Sequence, residues 1–140
     1  MDRNPKAVIF GCSGSVLSAE EAAFFRDADP VGFILFGRNC ETPEQVTRLV
    51  TDLRAAVGRE DAPVLIDQEG GRVARLRPPH WPRYPAAKRF GDLAIEEGLD
   101  HAVAAVRANS RLIGQDLAAL GITVNCAPAV DVPVPGAHDM

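Results

Sequence analysis

Val64-Leu65-Ile66-Asp67-Gln68-Glu69-Gly70-Gly71-Arg72 decides the fold class: three apolar residues run straight into two carboxylates and two glycines. A short apolar run stopped by turn residues reads as a buried strand. Three similar runs lie along the chain: Lys6 to Phe10 (KAVIF), Val31 to Phe36 (VGFILF) and Ile122 to Ala127. The second is apolar throughout, as in strands buried on both faces of a parallel sheet.

Helical signals separate the runs. Ser18-Ala19-Glu20-Glu21 has the form of a capping box, and the helix it opens should stop before Asp29-Pro30. Thr42-Pro43-Glu44-Gln45 opens a second helix, with proline at its first position. Val46, Leu49, Val50, Leu53 and Val57 recur at helical spacing, and Gly58 suits the C-terminal cap. A long helix is expected from about Glu97 to Leu120, with Val103, Val106, Ile113, Leu117 and Leu120 on one face. Gln68 to Pro85 holds Gly70, Gly71 and four prolines, so it should be loop. A connection of that length in a compact domain is usually functional. Residues 131–140 also read as loop. The order strand-helix-strand-helix-strand-helix-strand implies right-handed crossovers and a parallel sheet. Two closures fit: an open doubly wound sheet, or part of a (β/α) barrel. A full barrel needs eight strands and roughly 250 residues.

Composition narrows the function classes. The 140 residues are 46% apolar and 24% charged, which excludes a disordered chain. Fifteen basic and nineteen acidic side chains give a net charge of -4, so the surface as a whole is no nucleic-acid footprint. No apolar stretch approaches the roughly 20 residues that span a bilayer, and Met1 to Pro5 shows no signal peptide. Cys12, Cys40 and Cys126 are odd in number and lack a CxxC pair, which speaks against a disulfide framework and suits a cytoplasmic setting. Cys12 and Cys126 are expected in the core. His80, His101 and His138 lack metal-ligand spacing, and His101 should lie on the surface. No metal or cofactor is expected.

In either closure, ligands bind beyond the carboxyl ends of the strands. Those ends are Gly11-Cys12-Ser13, Gly37-Arg38-Asn39, Asp67-Gln68-Glu69 and Pro128 to Asp131. A carboxylate at a strand tip can accept two hydrogen bonds from neighbouring sugar hydroxyls, and a guanidinium can hold an acyl or carboxylate oxygen. Asp67 is therefore read as a ligand contact. Glu69 and Arg72 are read as structural, one carboxylate pairing with Arg72 or Arg75 to pin the loop. Six basic residues, from Arg72 to Arg89, occupy an 18-residue window without an acid. That window allows a phosphate or nucleotide ligand, but no P-loop or GxGxxG accompanies it, and such arginines often cap local carbonyls instead. Trp81 and Tyr84 either stack on a ligand or pack the loop.

Three stretches, Gly32-Phe33-Ile34-Leu35-Phe36-Gly37-Arg38-Asn39, Asp67 to Arg75 (DQEGGRVAR) and Ala127 to Val132 (APAVDV), together resemble the glycoside hydrolase family 3 N-terminal domain. The resemblance covers nearly the whole chain and is closest to the bacterial β-N-acetylhexosaminidase branch. It implies a TIM-like (β/α)8 barrel, of which residues 1–140 would supply about the first four strands as a half barrel, with no second domain. It implies retaining hydrolysis of terminal N-acetylglucosamine, with peptidoglycan fragments as substrate, and Asp67 and Arg75 as substrate-binding residues. Asp131 is expected in the pocket wall. The family's Lys-His pair, its His acid/base loop and its nucleophilic Asp have no counterpart here, so no catalytic residue is assigned and the chain alone is expected to be inactive. Expected partners are a small amino sugar or muropeptide, neither nucleic acid nor membrane, and a second copy joined through open barrel edges. The alternative is a non-catalytic, dimeric amino-sugar binder.

Overall fold

The computed structural model describes residues 4–130, 134 and 136. β1 (Lys6–Phe10), α1 (Ala19–Ala28), β2 (Pro30–Leu35), α2 (Pro43–Val57), β3 (Val64–Ile66), α3 (Ala87–Glu97), α4 (Leu99–Ala119) and β4 (Val124–Asn125) follow one another, with a short 3-10 turn over Gly37–Asn39. The local signals act as read. Ser18 accepts from the Glu21 amide while the Glu21 carboxylate reaches back to the Ser18 amide. Thr42 caps α2, and Gly58 ends it in the left-handed region at φ 65°.

The sheet order is β1-β2-β3-β4, and each neighbouring pair is parallel. A doubly wound sheet reverses its order at a switch point; this one does not. One cluster joins Phe33 and Leu35 of β2 and Val64 and Ile66 of β3 to Phe25 of α1, Leu49 and Leu53 of α2, and Ile113 and Leu117 of α4. So the helices cover one face. On the other, Ile34, Leu65 and Val124 sit in register and are half-buried or exposed. Strand following strand, with helices on one side and apolar residues on the other, is barrel geometry.

Three expectations change. The helix expected from Glu97 is two helices, because Gly98 adopts φ 98° and breaks the chain between α3 and α4. Val103 and Val106 share the expected face but are left 47% and 40% exposed, while Ile113, Leu117 and Leu120 are buried. The strand expected over Ile122 to Ala127 pairs only at Val124–Asn125. The loop expected over 131–140 lies outside the described residues, apart from 134 and 136.

Candidate substrate-binding site

The alternation of β3 runs past its last paired residue. From Ala62 to Gly70 the pattern alternates: 62, 64, 66, 68 and 70 are buried, while 63, 65, 67 and 69 on the other side are half-buried. Asp67 therefore leaves the carboxyl end of β3 on the uncovered side, where the sheet's inner face opens. Gly70 and Gly71 then turn the chain with φ of 100° and 61°. A Cβ on Gly70 would collide with the Pro85 carbonyl oxygen, and one on Gly71 would lie 2.6 Å from the Ala86 Cβ. The glycine pair is thus required by close backbone approach as well as by φ. The Gly71 amide donates to the Tyr84 carbonyl at 2.9 Å, and the loop folds back on itself.

That return brings Arg75 to Asp67. An Nη of Arg75 donates to Asp67 Oδ2 at 2.7 Å, with both side chains about three-quarters buried. Arg75 Nε is also buried, and among the described residues it has no hydrogen-bond partner. The Asp67 carboxylate also accepts from the Cys126 thiol, so the unpartnered group of the pair is the buried Arg75 Nε. Arg75 borders a cleft of about 300 Å³ lined also by Gly37, Cys40, Arg77 and His80. A larger apolar groove of about 540 Å³ lies between α3 and α4 and holds none of these groups.

The two residues expected to bind substrate, Asp67 and Arg75, thus lie side by side, whereas the loop-pinning ion pair expected of Glu69 or Arg72 is not among the ion pairs of the described residues. Asp131 and His138 lie outside the described residues. Of the other basic side chains, Arg77 donates to the Ala74 carbonyl at 2.8 Å, and Lys88 pairs with Asp92 one helical turn on at 2.7 Å. Trp81 is buried in the core cluster, so it packs the loop. Tyr84 donates to Asp116 at 2.7 Å; partial burial, and then the carboxylate, push its phenol up to about 12. His101 is exposed beside Glu97.

The thiols divide. Cys12 is in the core, as expected, and burial raises its pKa. Cys40 is pushed up to about 12, by burial first and then by nearby Cys12, with Arg75 opposing. Cys126, expected in the core, is exposed instead, because edge strand β4 leaves its far side uncovered. Partial burial of its sulfur and then neighbouring Asp67, with which it hydrogen-bonds, raise its pKa.

Two polar residues brace the strand ends: Asn39, expected at a ligand-binding strand end, and Asn125, which the sequence reading passed over. Asn39 is fully buried; its Nδ2 donates to the carbonyls of Gly14 at 2.7 Å and Cys12 at 3.2 Å, and its Oδ1 accepts from the Phe36 amide at 2.8 Å. Asn125 exchanges hydrogen bonds with the backbone of Gln68. The signal was present for Gln68: a polar residue on the apolar face of an alternating strand must find partners there.

Among the described residues there is no group of three or more metal-ligating side chains, and no helix is long and apolar enough to cross a membrane. Residues 12–136 match the model of the glycosyl hydrolase family 3 N terminal domain. A beta-hexosaminidase of Methylococcus capsulatus is 36% identical over 124 residues, covering 89% of this chain and 35% of its own length. One from Xanthomonas campestris pv. campestris is 34% identical over 125 residues, covering 89% and 37%. The crystal structure of NagZ from Neisseria gonorrhoeae in complex with N-trifluoroacetyl-D-glucosamine superposes with a TM-score of 0.82 at 29% identity, over 89% of this chain and 37% of that one. The chain thus spans little more than a third of the length of these relatives.

Proposed function

Because this chain belongs to glycosyl hydrolase family 3, as part of its N-terminal domain, we propose that it forms the sugar-binding wall of a retaining β-N-acetylhexosaminidase. Asp67 and Arg75 hold a terminal N-acetylglucosamine, and Asp131 belongs to the same wall. The observation that carries this reading is the 2.7 Å Asp67–Arg75 pair at the carboxyl end of β3, with its unpartnered Arg75 Nε. Hydroxyls of a pyranose supply donors to the Asp67 carboxylate. A sugar or acyl oxygen accepts from Arg75, whose planar fork is held in one orientation by the carboxylate.

Retaining hydrolysis needs two carboxyl groups, or an equivalent acid/base and nucleophile, about 5 Å apart across the scissile bond. Asp67 is read as a binding group, and no acid/base and nucleophile pair is assigned in this wall. The reaction therefore draws on residues outside this wall, and the 140-residue chain alone binds without cleaving. The names of the relatives support a hexosaminide substrate, and the ligand in the Neisseria NagZ complex supports an N-acylglucosamine. We take the natural source to be peptidoglycan fragments, processed in the cytoplasm.

The test has two parts. A protein that joins these 140 residues to the rest of a family barrel should hydrolyse an aryl N-acetyl-β-glucosaminide, and Asp67→Ala should remove that activity, while the 140-residue chain alone should not hydrolyse it. Calorimetric titration with N-acetyl-D-glucosamine should show Asp67→Ala and Arg75→Ala each weakening binding about 10- to 100-fold, the value of a charge-assisted hydrogen bond of roughly 1.5–3 kcal/mol. Unchanged affinity in both variants would end this reading.

A second reading rests on the uncovered apolar face and on the unpaired edges β1 and β4, where Ile9 and Val124 are 43% and 38% exposed. Two copies joined edge to edge would form a non-catalytic amino-sugar binder. Light scattering separates the two, since this reading requires a 140-residue dimer.

A further inference from the structure

Gln68 is 2% exposed and follows Asp67 directly, on the opposite face of the strand. Its Oε1 accepts from two backbone amides, Arg75 at 2.8 Å and Leu76 at 3.0 Å. Its Nε2 donates to the Leu76 carbonyl at 3.1 Å. Its own backbone is held on both sides by the Asn125 side chain, which accepts from the Gln68 amide at 3.0 Å and donates to the Gln68 carbonyl at 2.9 Å. One residue thus ties the backbone of 75 and 76 to the end of β3, and ties that end to β4.

The loop has other anchors. Leu76 and Trp81 are both in the core cluster. Burial, however, is proportional to area and has no direction. It holds the loop down without fixing how the backbone at 75 is turned, and that setting decides where a long arginine side chain arrives. Two amides converging on one oxygen do fix it, because hydrogen bonds weaken steeply off axis. Misplacement by about 1 Å is enough to cost a large factor in a pre-organised site.

We propose that Gln68 is a positioning residue: its side-chain amide sets the backbone of Arg75 so that the guanidinium meets Asp67 in the orientation that receives the sugar. The proposal rests on the reading of Asp67 and Arg75 as sugar contacts. Gln68 touches neither the ligand nor the guanidinium; it acts through the main chain.

The experiment is a double-mutant cycle in the full protein, read as affinity for N-acetyl-D-glucosamine. Gln68→Met keeps the volume and the apolar surroundings but removes all three side-chain hydrogen bonds. It should weaken binding about tenfold in the parent and less than twofold in an Arg75→Ala background, because a residue acting through Arg75 has nothing left to position once Arg75 is gone. Amide hydrogen exchange at residues 75 and 76 should accelerate in the same variant. A role confined to stability would lower affinity by the same factor in both backgrounds, or in neither, and either result overturns the proposal. If Arg75→Ala weakens binding and Gln68→Met does not, the site reading stands and the proposal falls. If Asp67→Ala and Arg75→Ala bind like the parent, the site reading itself falls, and the proposal with it. Should Gln68→Met fail to fold, Gln68→Glu carries the test, since it keeps the acceptor for both amides. Its affinity should stay within about threefold of the parent, and a loss as large as that of Arg75→Ala overturns the proposal.

Discussion

Removing the Asn39 side chain tests how the ends of β1 and β2 are joined. Asn39 is fully buried and makes three hydrogen bonds of 3.2 Å or less, to Phe36, Cys12 and Gly14. In Asn39→Ala the three are not equal. The Cys12 carbonyl keeps a donor, because Arg38 Nε lies 3.1 Å from it. The Phe36 amide and the Gly14 carbonyl lose their strong partners. An orphaned buried group costs about 1–3 kcal/mol, and water entering the space left behind recovers part of it. The net loss comes to about 2–4 kcal/mol. With a urea m-value of about 2 kcal/mol/M for a chain of this size, the midpoint should fall by about 1–2 M at constant m. Asn39→Asp adds a sign. Its carboxylate still accepts from Phe36 but faces two carbonyl oxygens, so its folded-state pKa is raised above the unfolded value of about 3.9. A raised pKa means stability that is present at acid pH and lost as pH rises through the folded value. Asn39→Asp should therefore lose more stability at pH 7 than at pH 4, relative to the parent at each pH. A midpoint shift below about 0.3 M for Asn39→Ala, or a smaller loss at pH 7 than at pH 4 for Asn39→Asp, would refute the account.

Other outcomes follow from the same geometry. Tyr84→Phe, which removes the 2.7 Å bond to Asp116, should cost about 1–2 kcal/mol at pH 7. Because the Tyr84 phenol is raised to about 12 in the folded state, that contribution should be complete below pH 10 and vanish as pH rises through 12, which thermal melts of both proteins would show. Gly70→Ala forces a Cβ onto the Pro85 carbonyl at a φ of 100° and should cost at least about 2 kcal/mol; an unchanged urea midpoint would contradict the close approach. Among the three thiols, Cys126 should react with an aromatic disulfide at least about tenfold faster than Cys12 or Cys40, since it alone is exposed. Asp67→Asn should speed that reaction further, because Asp67 raises the Cys126 pKa; no acceleration at pH 8 would show that the two groups do not interact.

The sequence alone was sufficient wherever a structural decision is made within a few residues. The capping box at Ser18 and Glu21, proline behind Thr42 and the left-handed stop at Gly58 are local devices, and each appears where the pattern puts it. The same holds for the motif that carries Asp67, since a strand tip followed by two glycines can be read from adjacent residues. The α3 helix was hidden by the proline-rich stretch before it, although Phe90, Leu93, Ala94 and Glu97 already keep helical spacing. The burial of Trp81 and the exposure of Cys126 were beyond local reading, because each depends on whether a distant segment covers that spot.

The tertiary structure decided what depends on contacts between residues far apart in the chain. Alternating strands and helices fit an open sheet and a barrel equally well; the order β1-β2-β3-β4, with helices on one face, chose between them. Why Arg75 and not Arg72 or Arg77 meets Asp67 was likewise invisible in a run of similar side chains. It follows from a buried glutamine that holds the backbone at 75 and 76 and is itself clamped by Asn125, 57 residues further along the chain.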